Sequence, residues 1–482
     1  MGFTDTLASY FGFEEHNTDL RTEVVAGITT FLAMSYIVVV NPSIMTQVTA
    51  DGEVVKPGVA LAGYSHDQTV QMLAVVTLLA SAIAMLVMAF YANRPFGLAP
   101  GLGLNAFFAF TVVGTLGVPW ETALAAVVVE GLVFILLTAV GAREYVIRLF
   151  PEPVKFAVGT GIGLFLAIIG LQAMGVVADD PATLLTLGNL AQNPVAVLAL
   201  VGLFFTLALY ARGVTGSIII GILATSAAGA VLTLTGVVSP GVLIGDFVQQ
   251  GGIAANELPK AQYGIGPLVG SFLRGFADIE AFSFALIVFT FFFVDFFDTA
   301  GTLVGVGQAG GFLDDDGDLP DADRPLMADA IGTTVGGMLG TSTVTTYVES
   351  ATGVEEGGRT GMVALVVAVL FLLSLAVVPL AAAIPQYASH IALVVVAILM
   401  LSNVTAIEWD DLTHAIPAGL TILVMPFTYS IAYGIAAGII AYPVVKTAVG
   451  DADEVRIGQW LLALAFLVYF FVRTSGILQT AV

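Results

Sequence analysis

The chain has 482 residues, of which 58% are hydrophobic and only 10% charged. Its 36 Asp and Glu against 14 Lys and Arg leave a net charge of −22, which opposes nucleic-acid binding, and the absence of cysteine excludes disulfides and thiolate metal chemistry. Apolar runs of membrane length recur from Val24 to Val472, so the chain reads as an all-α polytopic membrane protein.

Most of the acidity lies in connecting loops, including Asp179-Asp180, Asp314 to Asp323, Glu408 to Asp411 and Asp451 to Glu454. Self-repulsion of that kind is tolerable where salt shortens the Debye length to about 3 Å, near 1 M, which suggests a halophilic, archaeal host. The four histidines show no paired ligand spacing, and Asp314 to Asp318 does not combine D-x-D-x-D spacing with the terminal Glu of a calcium loop. No cofactor or metal is expected.

In chain order, the first span, Thr22 to Pro42, carries Thr29, Thr30, Ser35, Tyr36 and Asn41, which is more polar than a lipid-facing helix needs, so it is expected to border a cavity. A second span covers Thr69 to Tyr91. The third is broken by Gly97, Pro100, Gly101 and Gly103, and predicts a short extended stretch near Gly97 to Gly101 and then a half-helix that starts around Gly103 to Asn105. Its free N–H groups must then line a cavity. Spans four to seven follow: Trp120 to Val140, Pro153 to Val177, Val195 to Ala211 and Val214 to Leu234. Glu130, alone in the fourth, is expected to form a helix–helix hydrogen bond. The polar connection Thr235 to Asp278 separates the two halves.

The second half contains TFFFVDFFDTAGTLVGVG, Thr290 to Gly307, where Asp295 and Asp298 interrupt an apolar run. An Asp near the centre of a membrane helix costs about 2.5–3.5 kcal/mol on insertion scales, so such carboxylates generally face a polar cavity. The two lie three residues apart and share a helical face with Thr299 and Thr302. A ninth span runs from Leu326 to Leu339. The tenth, Thr341 to Arg359, repeats the logic of the third: an extended stretch through Tyr347, then a helix start at Val348 to Ser350 that carries Glu349. Spans eleven and twelve are Met362 to Ala382 and Ala388 to Leu401. Pro417, Pro426 and Pro443 make Ile416 to Val449 either two short spans or one kinked one, before Ile457 to Val472. The expected total is fourteen.

Broken spans at corresponding places in two halves of seven imply an inverted 7+7 repeat, with two half-helices converging on a midplane site. Three carboxylates and Asn105 suit a flat, nitrogen-rich ring, with phenylalanines available to stack on it. Loading a proton on such carboxylates is natural, and Na⁺ stays open. Lys and Arg number eight on the loops that are inner if the N-terminus is cytoplasmic, against three on the outer ones, counted through Arg359.

At these residues the chain resembles the azaguanine-permease-like branch of the xanthine/uracil permeases, nucleobase:cation symporters. The resemblance rests on RTEVVAGITTFLAMSYIVVVNPSI (Arg21 to Ile44), FGLAPGLGLNAFFAFTVV (Phe96 to Val113), FVDFFDTAGTLVGV (Phe293 to Val306), GTSTVTTYVESATGVEEGGRTG (Gly340 to Gly361) and PAGLTILVMPFTYSIAYGI (Pro417 to Ile435). It implies a core domain from residues 1–145 and 279–384, a gate domain from 146–236 and 385–482, and a connecting loop at 237–278. It also implies elevator-like import of adenine, guanine or hypoxanthine with protons, often as a homodimer in the lipid bilayer of the cell membrane. By motif position, Asp295 and Glu349 look like the principal purine-binding carboxylates, joined by Asn105, Thr299 and Tyr347. Asp298, Thr302 and Ser350 look like supporting or coupling residues. The alternatives are a uracil or xanthine permease of the same superfamily, an anion transporter of the same fold, for which three carboxylates are ill suited, and an intramembrane aspartyl protease, whose two carboxylates lie on separate helices.

Overall fold

Asp19 starts the first membrane segment. In the computed structural model, which describes residues 3–50, 53–141, 150–254, 258–277, 279, 281–314 and 319–474, a short helix α1 (Phe3–Phe11) precedes it. The Asp19 carboxylate accepts the Thr22 backbone N–H at 2.9 Å and caps α2 (Leu20–Met34). A turn at Ser35–Tyr36 leads into α3 (Ile37–Met45), and a hairpin of β1 (Val48–Ala50) and β2 (Glu53–Lys56) follows. Ser65 and Gln68 then form a capping box for α4 (His66–Val87).

Pro100 and its neighbouring glycines break the third segment into β3 (Leu98–Pro100) and α5 (Leu102–Ala106), continued by a π-helical stretch, Phe107–Thr115. Helices α6 (Trp120–Ala139) and α7 (Glu152–Ala173), the hairpin β4 (Val177–Asp180) and β5 (Leu184–Leu187), and helices α8 (Pro194–Ala211) and α9 (Ser217–Leu234) complete the first half, and a short hairpin of β6 (Val248–Gln249) and β7 (Gly252–Ile253) lies in the connection. Arg143, Arg148, Asp278 and the 315–318 part of the acidic loop lie outside the described residues.

The second half opens with the 30-residue α10 (Ala281–Gly310) and the buried α11 (Asp323–Leu339), then β8 (Val344–Thr346) and α12 (Ser350–Glu355). It continues with α13 (Gly361–Ser374), α14 (Val378–Ala383), α15 (Gln386–Ser389) and α16 (Ile391–Met400). The proline-rich stretch resolves into two helices, α17 (Leu412–Thr428) and α18 (Ile431–Val449), because Tyr429 adopts a left-handed φ of 51° between them; α19 (Ile457–Thr474) ends the described chain.

Strands β3 and β8 pair antiparallel, with Leu98 opposite Thr346, Ala99 opposite Thr345 and Pro100 opposite Val344. Gly101 N–H to Thr343 O and Tyr347 N–H to Gly97 O extend the pair at both ends, so the backbone groups freed by the two breaks satisfy one another. Two packing groups flank this pair. One contains α2, α4, α6, α11 and α13; the other contains α7, α8, α9, α16, α17 and α18.

Among the described residues ten helices are long and apolar enough to cross a membrane, with shorter apolar ones at Leu102–Thr115, Leu412–Thr428 and Ile457–Val468. Fourteen full-length spans therefore do not emerge. The third and tenth expected spans are part strand, and α11 has 17 residues where a crossing needs about 20.

Candidate functional site

The β3–β8 pair places the N-terminal ends of α5 and α12 beside α10, and the polar residues of the three segments meet there. Glu349, at the start of α12, is half-buried and accepts a 2.6 Å hydrogen bond from the Tyr36 hydroxyl in the turn between α2 and α3. Asp298 on α10 is also half-buried and close enough to Glu349 for their charges to interact. Thr302, one turn along, shares its exposure and its side of the helix.

Asp295 and Thr299 form the adjacent stripe of α10 and point inward; both are fully buried. Thr299 shares a 2.6 Å hydrogen bond with the Thr345 hydroxyl on β8, and Asp295 Oδ2 accepts the Thr333 hydroxyl of α11 at 3.3 Å. The single expected polar face is thus divided, with Asp298 and Thr302 partly exposed and Asp295 and Thr299 in the packed interior.

The other expected residues serve the crossing itself. The Tyr347 hydroxyl donates to Pro100 O at 2.5 Å, and the Asn105 amide reaches the same carbonyl at 3.4 Å while its oxygen accepts from Ser342. Ser350 accepts the Gly97 N–H at 2.9 Å and donates to Tyr347 O at 2.6 Å. These bonds bind one break to the other. The phenylalanines expected to stack on a ring pack against other rings: Phe291 lies edge-on to Phe107 at 4.8 Å and Phe293 lies tilted against Phe150 at 4.2 Å, centroid to centroid, and of the five flanking Asp295 and Asp298 only Phe297 is partly exposed.

Residues 21–437 match the sequence profile described as Permease family, of the xanthine/uracil permease type. The chain belongs to this permease family. Relatives include a guanine/hypoxanthine permease of Bacillus subtilis, 39% identical over 96% of this chain and 99% of that one. An adenine permease of Escherichia coli is 36% identical over 96% of this chain and 95% of its own length. These agree with the resemblance to the azaguanine-permease-like branch and with a transporter and not an enzyme. The transmembrane domain of the cyanobacterial bicarbonate transporter BicA has the same fold, with a TM-score of 0.62 over 87% of this chain and 97% of that one at 15% identity.

Within this permease, two further acidic groups lie next to Asp295. Asp329 on α11, fully buried, accepts the Thr346 N–H at 2.7 Å and its hydroxyl at 2.8 Å. Glu130 on α6, expected to hydrogen-bond helix to helix, faces Asp295 and Asp329, and neither of its oxygens has a donor partner. The sequence offered a signal for Asp329, a further carboxylate inside the ninth apolar run. Tyr36 was visible only as one of several polar residues in the first span.

Away from the carboxylates, a cavity of about 600 Å³ is lined by Lys56, Phe110, Gln172, Asn193, Gln386 and His390.

Proposed function

We propose that this permease is a secondary active transporter that imports purine nucleobases, adenine, guanine or hypoxanthine, by symport with a proton. The names of the two relatives above support the substrate class. The observation that carries the reading is the Asp298–Glu349 pair: two half-buried carboxylates at the crossing of two broken segments, with the Tyr36 hydroxyl fixing one of them. Carboxylates there accept N–H groups from a purine edge, while the neighbouring backbone ends offer further donors and acceptors.

In this reading Asp298 and Glu349 touch the purine, Thr302 borders it, and Asn105, Tyr347, Ser350 and Thr299 hold the crossing in shape. Asp295, fully buried, serves coupling. The division between the two aspartates is thus the reverse of the motif-based expectation.

The rest of the mechanism follows the resemblance. The α2, α4, α6, α11 and α13 group, with α10 and the crossing, corresponds to the core domain, and the α7–α9 and α16–α18 group to the gate domain. The core moves against the gate in an elevator-like cycle. Counting the ten long helices, the two strand–helix segments, α11 and α17 as crossings gives fourteen segments in a 7+7 inverted repeat, with α19 outside the count and the N-terminus cytoplasmic. A homodimer in the cell membrane of a salt-loving archaeon completes the reading.

Uptake of labelled hypoxanthine, adenine, guanine, xanthine and uracil into proteoliposomes, under imposed pH and Na⁺ gradients, tests it. Purine accumulation driven by the pH gradient is expected. Accumulation of uracil without competition by any purine would replace this reading with the uracil permease one.

A further inference from the structure

Glu130 on α6, Asp295 on α10 and Asp329 on α11 converge inside the core packing group, behind Asp298. All three are fully buried, and among the described residues no Lys, Arg or His forms an ion pair with any of them. Their hydrogen bonds leave four carboxylate oxygens without a partner: both of Glu130, Oδ1 of Asp295 and Oδ2 of Asp329. Backbone contact between the helices fixes this arrangement. A Cβ on Gly131 would lie 2.8 Å from Thr334 N, so α6 and α11 touch beside Glu130.

Three ionised carboxylates in one dry place, each missing partners, are unstable without a positive charge among them. A metal ion needs a compact cage. Among the described residues, three or more acidic or His ligand atoms within 4.8 Å of one another occur only at Glu408, Asp411 and His414, near the surface, so the buried trio is too open for one. A proton needs only two oxygens. α6 and α10 pack together here, with Phe134, one turn from Glu130, against Phe292 and Phe296 beside Asp295. As two carboxylates neither Glu130 nor Asp295 can donate; one proton between them supplies the missing donor. The charged groups facing the trio from its neighbours are Asp298, which acts on both Asp295 and Asp329, and through it Glu349; β8 contributes only the Thr346 donors to Asp329.

We propose that Glu130, Asp295 and Asp329 form the site that carries the coupling proton, with Glu130 and Asp295 sharing it and Asp298 linking it to the substrate cavity. This rests on the proton-symport reading above. Loading transfers one proton from hydronium through Asp298 to the Glu130–Asp295 pair and leaves water behind. Release on the opposite side reverses the step, and no other bond changes. Glu130 acts through this proton and does not touch the purine.

The test compares wild type with Glu130→Gln in proteoliposomes, by hypoxanthine counterflow without a gradient and by accumulation under a pH gradient. Glu130→Gln is expected to keep counterflow within about twofold and to lose gradient-driven accumulation by about tenfold or more, because coupling and binding are separable free energies. Proton uptake on adding hypoxanthine, read with a pH indicator, falls to background, and Glu130→Asp restores part of it. Wild-type accumulation in Glu130→Gln overturns the proposal, as does accumulation in the wild type driven by Na⁺ alone. If the wild type accumulates no purine under either gradient, the symport reading itself fails, a separate result. Should Glu130→Gln not reach the membrane, infrared difference spectra of the wild type decide: a deuterium-sensitive protonated-carboxyl band that changes with hypoxanthine supports the proposal, and its absence overturns it.

Discussion

The Tyr36 hydroxyl donates to Glu349 Oε1 at 2.6 Å, a bond that joins the first membrane segment to the second chain break across 313 residues. It holds the carboxylate at one angle while leaving its other oxygen for a ligand. A hydrogen bond to a charged group is worth about 1.5–3 kcal/mol, so Tyr36→Phe is expected to weaken purine binding by about tenfold. Uptake kinetics should show this mainly as a raised KM. Glu349→Gln should abolish uptake with expression intact, and unchanged transport in that variant would remove Glu349 from the site.

Asp295 and Asp298 separate by burial, and the pair of Asn variants reads out the separation. Asp298→Asn is expected to lose equilibrium purine binding, because its carboxylate is partly exposed and interacts with Glu349. Asp295→Asn keeps binding but loses accumulation against a gradient, because its carboxylate faces Thr333 and Glu130. Binding by isothermal calorimetry, set beside accumulation, distinguishes them; loss of binding in Asp295→Asn with retention in Asp298→Asn would reverse the assignment.

The contact between α6 and α11 leaves no room for a side chain at Gly131. A Cβ there would lie 2.4 Å from Thr334 Oγ1 and 2.8 Å from Thr334 N, and the backbone atom cannot swing away. Overpacking of this kind costs about 1–3 kcal/mol, so Gly131→Val is expected to lower the thermal midpoint in detergent by several degrees. Gly301→Ala, on the α10 face where a Cβ meets nothing within 4 Å, is the control and should leave the midpoint unchanged.

The two chain breaks were legible because Pro100 and clustered Gly and Thr residues have strong local consequences, and their pairing as β3 and β8 follows from the need to satisfy backbone groups in a dry interior. The intramembrane carboxylates were legible for a similar reason, since their cost demands a partner. What the sequence could not supply was direction around a helix. Asp295 and Asp298 differ by about 60° about the α10 axis, and only the positions of α6, α11 and β8 decide which of them faces the interior. The Tyr36–Glu349 bond and the Glu130–Asp295–Asp329 cluster depend on the same long-range packing. The count of fourteen goes beyond the ten helices that are long and apolar enough to cross among the described residues, because a strand followed by a short helix carries a weaker hydropathy signal than one long helix.

Lys56 gives a pH-dependent prediction outside the membrane helices. Its ammonium donates to Ser43 O at 2.7 Å and Ile44 O at 3.0 Å beside the 600 Å³ cavity, and burial pushes its pKa down from 10.5 to about 7. Below pH 7 the lysine is charged in both the folded and unfolded states, and the folded state bears the full cost of burying the charge. Between about pH 7 and 10.5 the folded state sheds the proton while the unfolded state keeps it, so this cost is relieved and the lysine's contribution to stability rises with pH. Lys56→Met removes the charge along with its two hydrogen bonds. The bonds are lost at every pH, but the charge penalty is lost only where it exists. The thermal midpoint of Lys56→Met relative to wild type is therefore expected to be highest at pH 6 and to fall by several degrees by pH 9.5, for a change on the order of a few kcal/mol. A difference that stays flat across that window would mean that Lys56 reaches water when folded and that the hairpin does not seal it in.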